Sequence, residues 1–373
     1  MTNAPTNARL LAHPAARRRA MITTAALAAT LALTACSLQA SGGGEASGGS
    51  SDDASDGGAG TVTLVTHDSF NISEETLAAF EAESGYDVVQ VAPGDGGSLV
   101  NQLILTKDSP LGDVVYGIDN SFASRAVNEG VLEPYVSAEL PASAEAHLLG
   151  DELTPINRAD VCLNIDTGWF AEAGLTPPST LEDIADPAYK GLTVVTNPAT
   201  SSPGLAFLLA TVGAFGEDGW EQYWADLRAN DVSVVDGWSD AYYVDFSGAD
   251  GAGPRPIVLS YSSSPAFTVN DAGESTTAAL LDTCFRQVEY AGVISGAANP
   301  EGAQALIDFL LGEKFQSEVP EQMYVYPIDD AVELPAEWAA FAPLATTPFE
   351  VSPEDIDANR DAWITAWTAT VID

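Results

Sequence analysis

The chain has 373 residues, of which 46% are hydrophobic, a length that favours two lobes over a single core. It carries 54 Asp and Glu residues against 13 Lys and Arg residues, a formal net charge of −41. This charge excludes nucleic acid as a partner, because phosphate backbones are bound through basic patches, and it favours a cationic ligand. Most of these acids are expected to reflect a general acidic bias of the surface.

The first 35 residues predict a lipoprotein signal peptide. A basic segment ending at Arg19 precedes the apolar run Met21–Leu33, which is too short to span a membrane comfortably. Leu33-Thr34-Ala35-Cys36 resembles a bacterial lipobox, in which Cys36 becomes the lipidated first residue of the mature chain. Residues 36–60 are small and acidic and predict a flexible tether. We therefore expect an extracytoplasmic protein that is lipid-anchored to the outer face of the cell membrane.

The next hundred residues alternate between strand and helix patterns. Asn71, with Glu74 three residues later, is typical of a helix start, and Gly85 of a helix end. A second helix pattern follows the glycine-rich turn at 94–98. Strands are predicted at 61–66, 87–91 and 112–118. This βαβ order predicts a parallel sheet with right-handed crossovers.

The pattern restarts at Asp160 and predicts a second lobe. Ser202 is a suitable N-cap and Pro203 a suitable first residue for a buried helix over 205–212. Later helices are predicted to start at Asn299-Pro300 and Ser352-Pro353. Strands are predicted at 161–165, 192–196, 232–235, 257–259 and 285–290, the last returning to the first lobe. Residues 61–159 plus 291–373 are thus assigned to lobe 1 and residues 160–290 to lobe 2.

Polar, aromatic or glycine-rich turns follow one predicted strand after another. Ligands of open α/β sheets bind at the carboxyl ends of the strands. Two lobes with such edges facing each other form a cleft, the usual place for a small-molecule site. The turns lie at 67–69, 94–98, 119–120, 200–202, 236–240 and 261–264.

Five short motifs in these turns resemble, in this order, the thiamine-binding receptors of ABC importers. They are Thr66-His67-Asp68-Ser69-Phe70, Asp95-Gly96-Gly97-Ser98-Leu99, Thr200-Ser201-Ser202-Pro203-Gly204, Gly237-Trp238-Ser239-Asp240-Ala241 and Leu259-Ser260-Tyr261-Ser262-Ser263-Ser264-Pro265. The resemblance implies a two-lobed α/β fold of the type II periplasmic-binding-protein class, each lobe a mostly parallel sheet flanked by helices. It implies a monomeric receptor, not an enzyme, that delivers thiamine to an ABC permease without a cofactor.

The resemblance also implies which residues contact the ligand. The thiazolium ring of thiamine is a permanent cation, which aromatic faces and carboxylates stabilise. The loop of Ser201 and Ser202 at a helix start is also suited to a hydroxyl or to the phosphate of a thiamine phosphate. The implied ligand-binding residues are His67, Asp68, Asp95, Gly96, Ser201, Ser202, Trp238, Tyr261, Ser262, Ser263, Ser264 and Tyr324.

Three positions, two of them in this set, depart from the family pattern. The family often has tyrosine where His67 and Phe267 stand, and tryptophan where Tyr324 stands. Stacking survives these changes, whereas hydroxyl contacts to the ligand are put in doubt. A close analogue of thiamine, such as its pyrimidine fragment, therefore stays open as the ligand.

Two rival functions remain open. Adjacent tyrosines such as Tyr242-Tyr243 are the iron-binding signature of ferric receptors with this fold, although here they lie in a helix-like run. Thiaminase I shares the fold and uses a cysteine nucleophile, which must be a free thiolate. Cys162 and Cys284 are predicted to form a disulfide in an exported chain, with two buried thiols as the alternative. No histidine spacing indicates a metal site, and no Ser/His/Asp triad is evident.

The lipobox generates a direct prediction. Cys36→Ser removes the thiol that would carry the lipid, so the protein should be released from membranes or stay unprocessed. Fractionation of cells followed by mass analysis of the mature N-terminus measures this. Unchanged membrane retention with normal maturation would contradict the assignment.

Overall fold

The computed structural model describes residues 60–249 and 251–373. The predicted signal peptide, Cys36 and nearly all of the tether lie outside the described residues. Within the described part, no helix is both long and apolar enough to cross a membrane.

The described residues form one mixed sheet. Its main path has the order β2-β1-β3-β10-β5-β8-β6-β7. Three short strands lie off this path: β4 pairs with β10, and β9 and β11 pair with β5. The strands are β1 (Gly60–Thr66), β2 (Tyr86–Val91), β3 (Val114–Asp119), β4 (Leu132–Glu133), β5 (Thr154–Asp166), β6 (Thr193–Thr196), β7 (Ser233–Val235), β8 (Ile257–Tyr261), β9 (Thr277–Ala279), β10 (Phe285–Ile294) and β11 (Tyr326–Pro327).

Two parallel sets of strands lie on either side of a central antiparallel pair. β1 pairs in parallel with β2 and β3, and β6 pairs in parallel with β7 and β8. Between the sets, β10 runs antiparallel to β3 and to β5, and β5 runs antiparallel to β8. The predicted lobe bounds at 160 and 290 fall inside β5 and β10, the strands that join the two sets. The division of the chain into lobes at these residues stays a prediction.

The helices cover the sheet. α6 is buried along almost its whole length because its sequence is nearly all apolar, and it packs against both α7 and the sheet. The helices are α1 (Glu74–Ser84), α2 (Gly96–Leu105), α3 (Ala123–Asn128), α4 (Thr167–Ala173), α5 (Leu181–Ile184), α6 (Ser202–Phe215), α7 (Trp220–Ala229), α8 (Trp238–Asp240), α9 (Pro300–Leu311), α10 (Glu313–Met323), α11 (Ala336–Phe341) and α12 (Pro353–Val371).

The sequence places most helix starts to within a few residues, with two corrections. Ser73, not Asn71, caps α1, because its side chain accepts the backbone N–H of Thr76. Ser201, not Ser202, caps α6, and its hydroxyl accepts the N–H of Gly204. In both cases a neighbouring polar residue has the extended backbone that an N-cap needs.

Two strands are longer than their sequence patterns indicate. The prediction 161–165 becomes β5, which has 13 residues, and 285–290 becomes β10, which has 10. β5 runs through buried polar positions such as Asn157 and Asp160, which interrupt an apolar pattern in the sequence, and β10 contains the buried Glu289. In the fold these side chains are paired with one another or with neighbouring strands, so the strands continue.

A disulfide connects the start of β10 to the middle of β5. It joins Cys162 to Cys284, whose Cα atoms are 4.2 Å apart, across a sequence separation of 122 residues. Both cysteines are fully buried. The link therefore fixes the pairing of two strands that are distant in sequence.

Removing this link should destabilise the protein. Cys162→Ala with Cys284→Ala should lower the free energy of unfolding by about 2–5 kcal/mol, because the unfolded chain then loses a long closed loop. Denaturant unfolding of the oxidised protein and the double variant measures the difference. The native protein should show no thiol from these residues before reduction, and a thiol count of two would contradict the bond.

Candidate functional site

A cavity of about 330 Å³ opens where the carboxyl ends of β1 and β8 approach the middle of β10. Five segments that are distant in sequence form its wall. The lining residues are His67, Asp68, Ser69, Phe70, Asn71, Trp238, Ser239, Tyr243, Tyr261, Glu289, Gln322, Met323, Tyr324 and Val325.

Strand ends and helix ends present these side chains to the cavity. Residues 67–71 follow β1, Tyr261 ends β8, and Glu289 lies within β10. Tyr324 ends α10 with φ of +60°, in the left-handed region that bulky side chains seldom adopt. Such backbone strain clusters at ligand sites.

Two buried ionisable groups face each other in the wall. His67 Nε2 lies 3.4 Å from Glu289 Oε1, and the two residues are 8% and 6% exposed. Burial lowers the pKa of His67, but the charge and hydrogen bonding of Glu289 outweigh it and raise the pKa overall. Burial raises the pKa of Glu289, but the positive charge of His67 and the hydrogen bonds from His67, Asn157 and Tyr116 together outweigh it, so its pKa is lowered.

The second oxygen of Glu289 is fixed by its neighbours. Oε2 accepts hydrogen bonds from Asn157 Nδ2 at 2.8 Å and from the hydroxyl of Tyr116 at 3.3 Å. Asn157 also donates to the Tyr116 hydroxyl. The carboxylate is therefore held with Oε1 towards His67.

Sequence analysis did not identify Glu289. The residue sits between Val288 and Tyr290 in a strand that is buried almost throughout. An acid at a buried strand position needs a partner, since an unpaired buried charge is very unfavourable. An isolated acid in a buried strand was therefore the signal that could have identified Glu289. Its partners could not be identified, because they come from segments that are distant in sequence.

Asp95 was expected to face the ligand, and the structure gives its carboxylate other partners. Oδ1 accepts the N–H groups of Gly96 and, at 3.1 Å, Ser202. Oδ2 accepts the N–H of Trp238 at 2.9 Å. Asp95 does not line the cavity; instead its carboxylate joins the starts of α2, α6 and α8. Burial raises its pKa although these hydrogen bonds and His67 act in the opposite direction.

Gly96 and Gly97 permit this close approach of α2 to the loop before α6. A Cβ on Gly96 would stand 2.1 Å from Ser202 Oγ, and one on Gly97 would stand 2.7 Å from the carbonyl carbon of Thr200. Ser98 N–H donates to the carbonyl of Thr200 at 2.9 Å across the same contact. Gly96, Ser201 and Ser202 thus lie at a packed junction beside the cavity rather than in its wall.

The three serines after β8 are directed into the protein. Ser264 Oγ bonds with Ser260 Oγ at 2.8 Å, and Ser263 Oγ donates to the carbonyl of Tyr324. Ser262 Oγ is buried without a hydrogen-bond partner among the described residues. None of Ser262, Ser263 and Ser264 lines the cavity, and Ser263 positions Tyr324, which does.

Trp238 is both a packing residue and a wall residue. Its ring stacks on Tyr242 with a centroid distance of 5.0 Å, and its Nε1 donates to Ser260 Oγ at 3.0 Å. It is 6% exposed and belongs to a small core cluster with Tyr242 and Phe246. Truncating it would disturb the core as well as the cavity.

The aromatic wall continues into a second cavity of about 270 Å³. Tyr243 and Tyr324 line both cavities. Phe267 packs on Tyr324 with a centroid distance of 4.0 Å and lines only the second. Of the residues expected at the ligand, the structure brings His67, Asp68, Trp238, Tyr261 and Tyr324 together in the wall of the first cavity. That they bind the ligand stays a prediction.

The tyrosine pair proposed for iron is packed among aromatic rings. Tyr242 and Tyr243 lie in a π-helical turn, Ala241–Asp245. Tyr242 is almost fully buried against Trp238, while Tyr243 is 44% exposed at the mouth of the cavity. In the described part of the chain, no group of three or more His, Cys, Asp or Glu side chains is arranged to hold a metal ion.

Fold and cavity define a class of receptor: a two-lobed binding protein with a small, acidic and aromatic cleft. Residues 109–345 match the family model described as bacterial extracellular solute-binding protein. A thiamine-binding periplasmic protein of Salmonella typhimurium is 30% identical over 83% of this chain and 93% of the relative. The chain therefore belongs to the bacterial extracellular solute-binding protein family.

Solved structures confirm the fold class. A periplasmic thiamin binding protein superposes with a TM-score of 0.74 and 28% identity over 84% of this chain and 96% of that one. The apo ferric ion-binding protein A of Pasteurella haemolytica gives 0.63 at 18% identity, over 83% and 97%, a likeness of fold alone. The predicted α/β fold of the type II periplasmic-binding-protein class is confirmed, and the protein is an extracytoplasmic solute-binding receptor.

The carboxylate of Asp95 generates a stability prediction. Asp95→Asn should lower the free energy of unfolding by about 1–3 kcal/mol, because an amide has one acceptor oxygen and leaves a buried N–H unpaired. Urea unfolding at neutral pH measures this, with Asp87→Asn on the exposed face of β2 as the control. Equal stability of the two variants would show that the junction does not depend on the charge of Asp95.

Proposed function

We propose that the protein captures thiamine outside the cell and delivers it to an ABC importer. One observation carries the proposal: the cavity combines two carboxylates, Glu289 and Asp68, with five aromatic side chains, and none of its described lining residues is Lys or Arg. The similarity to thiamine-binding periplasmic proteins supports the same ligand.

The chemistry of thiamine suits this wall. Its thiazolium cation is stabilised by carboxylates and by aromatic faces, a cation–π contact being worth about 0.5–2 kcal/mol. Its aminopyrimidine ring suits stacking against Tyr261 or Tyr324. The cavity volume of about 330 Å³ falls within the range of roughly 300–1,000 Å³ that is usual for small-molecule sites.

Thiamine phosphates are the second candidates. A phosphate at the start of α6 would compete with Asp95, whose carboxylate already accepts the N–H of Ser202. No Lys or Arg of the described residues lines the cavity, and the imidazole of His67 is paired with Glu289. We therefore place free thiamine first and include its phosphates in the same titration.

The tyrosine pair and the cysteines bear on the two rival functions. The iron alternative receives little support because Tyr242 is packed in the core. A thiaminase-like activity would need a free thiolate, and both cysteines of the described chain are in one disulfide. We propose a monomeric receptor, not an enzyme, that is held at the membrane by lipid on Cys36.

The proposal is tested at the mouth of the cavity. Tyr243→Ala should weaken thiamine binding by about 1–3 kcal/mol, roughly 5- to 150-fold, because it removes an aromatic face from the cation. The melting temperature of the empty protein should change little, since the ring is half exposed. Calorimetric titration measures the affinity.

Tyr86→Ala is the matched control, because Tyr86 lies in the edge strand β2 and does not line either cavity. It should leave thiamine affinity unchanged. A wild-type protein that does not bind thiamine, or a visible charge-transfer band with ferric salt that Tyr242→Phe abolishes, would overturn the proposal.

A further inference from the structure

The pair formed by His67 and Glu289 lies in the wall of the candidate ligand cavity, so its charge acts on whatever binds there. That wall contains one imidazole, His67, and two carboxylates, Asp68 and Glu289. Their summed charge is −1 when His67 is protonated, one positive against two negative, and −2 when it is neutral. The protonation state of His67 thus sets how attractive the cavity is to a cation.

The geometry leaves Glu289 Oε1 as the oxygen that can pair either with protonated His67 or with a bound cation. Oε2 is held by Asn157 and Tyr116, whereas Oε1 faces His67 Nε2 at 3.4 Å. Nε2 makes no hydrogen bond of normal geometry to any other described residue. When it is protonated, His67 is therefore an internal cation paired with the carboxylate that a bound cation would use.

We infer that a bound cation and the proton of His67 compete for Glu289, so that capture of the ligand expels a proton to solvent. The inference rests on the proposed function, because it assumes a cationic ligand. The charges balance: one positive charge enters the cavity with the ligand and one leaves as the imidazolium becomes imidazole. His67 and Glu289 then determine together how affinity depends on pH.

The direction of the pH dependence follows from the pair. Glu289 raises the pKa of His67 against the effect of burial. A cation that takes over Glu289 removes this support and adds a like charge, so the pKa of His67 falls on binding. Affinity should then decrease as the pH is lowered through the pKa of His67, by at most about tenfold per pH unit for one exchanged proton.

Other groups around the pair do not take over this role. The carboxylate oxygens of Asp95 are used by backbone N–H groups, and burial raises the pKa of Tyr116 and Tyr261 well above 10, so both are neutral. Burial raises the pKa of Asp119, in β3, to about 7, but Asp119 does not line the cavity. The titratable groups that face His67 or Glu289 are Asp68, Asp95, Tyr116, Asp119 and Tyr261.

The experiment counts protons during binding. Thiamine and a simple thiazolium salt are titrated calorimetrically into the purified protein at one pH, in buffers of different ionisation enthalpy, and the slope of the measured enthalpy gives the protons released. The thiazolium salt is needed because the aminopyrimidine of thiamine also titrates. Between pH 6 and pH 8 the wild type should release up to one proton per ligand.

Three variants assign the proton. His67→Gln should abolish the release and remove the loss of affinity at low pH. Glu289→Gln should also abolish it and weaken binding of both cations. Asp119→Asn is the control for Asp119, whose pKa burial raises to about 7, and it should release protons as the wild type does.

The outcomes separate this inference from the proposed function. Thiamine binding with no buffer dependence of the enthalpy, or equal proton release by the wild type and His67→Gln, overturns the exchange and leaves the receptor function intact. If neither thiamine nor the thiazolium salt binds, the proposed function and the exchange both fail. Loss of release in Asp119→Asn would assign the proton to Asp119 and also overturn the inference.

Discussion

Two long strands, β5 and β10, run antiparallel through the middle of the sheet, and each pairs on its outer side with a parallel set. The register of this pair shifts between Glu289 and Tyr290, so the ladder is irregular at the residue that enters the cavity. The disulfide between Cys162 and Cys284 fixes the pair at one end. The position of Glu289, and with it the charge of the site, depends on this pairing.

The same pair carries a second buried charge on its other side. Asp160 of β5 is fully buried and is bonded by Arg286 of β10 and by the backbone N–H of Ala345. A buried ion pair is costly to break, because removing one partner leaves the other charge uncompensated. Asp160 and Glu289 thus make the central strands polar inside an otherwise apolar sheet, and each acid is matched by a group from a different part of the chain.

The fold could be predicted from the sequence because its signals are local. Apolar strand patterns, helix caps and turn residues recur in order, and the cap of α9 at Asn299 is found where it was expected. The cavity residues at strand ends, such as His67 and Tyr261, could be predicted for the same reason. The motif positions therefore indicate the region in which the cavity lies.

Side-chain partners could not be predicted, because they depend on contacts between distant segments. The sequence shows Asp95 in a polar turn, but not that its oxygens are used by the starts of two other helices. It shows Glu289 in a strand, but not that His67, Asn157 and Tyr116 surround it. Of the two acids expected at the ligand, Asp68 lines the cavity and Asp95 does not, and Glu289 lies in the wall without having been expected there.

Recognition of a positive charge by Glu289 is the central claim, and a comparison of two ligands of nearly equal shape tests it most directly. Thiamine and an analogue with a neutral thiophene in place of the thiazolium are titrated into the wild type and into Glu289→Gln. We expect thiamine to bind the wild type more tightly than the neutral analogue does, and this difference to shrink in the variant. Equal affinities of the wild type for the two ligands would contradict the account.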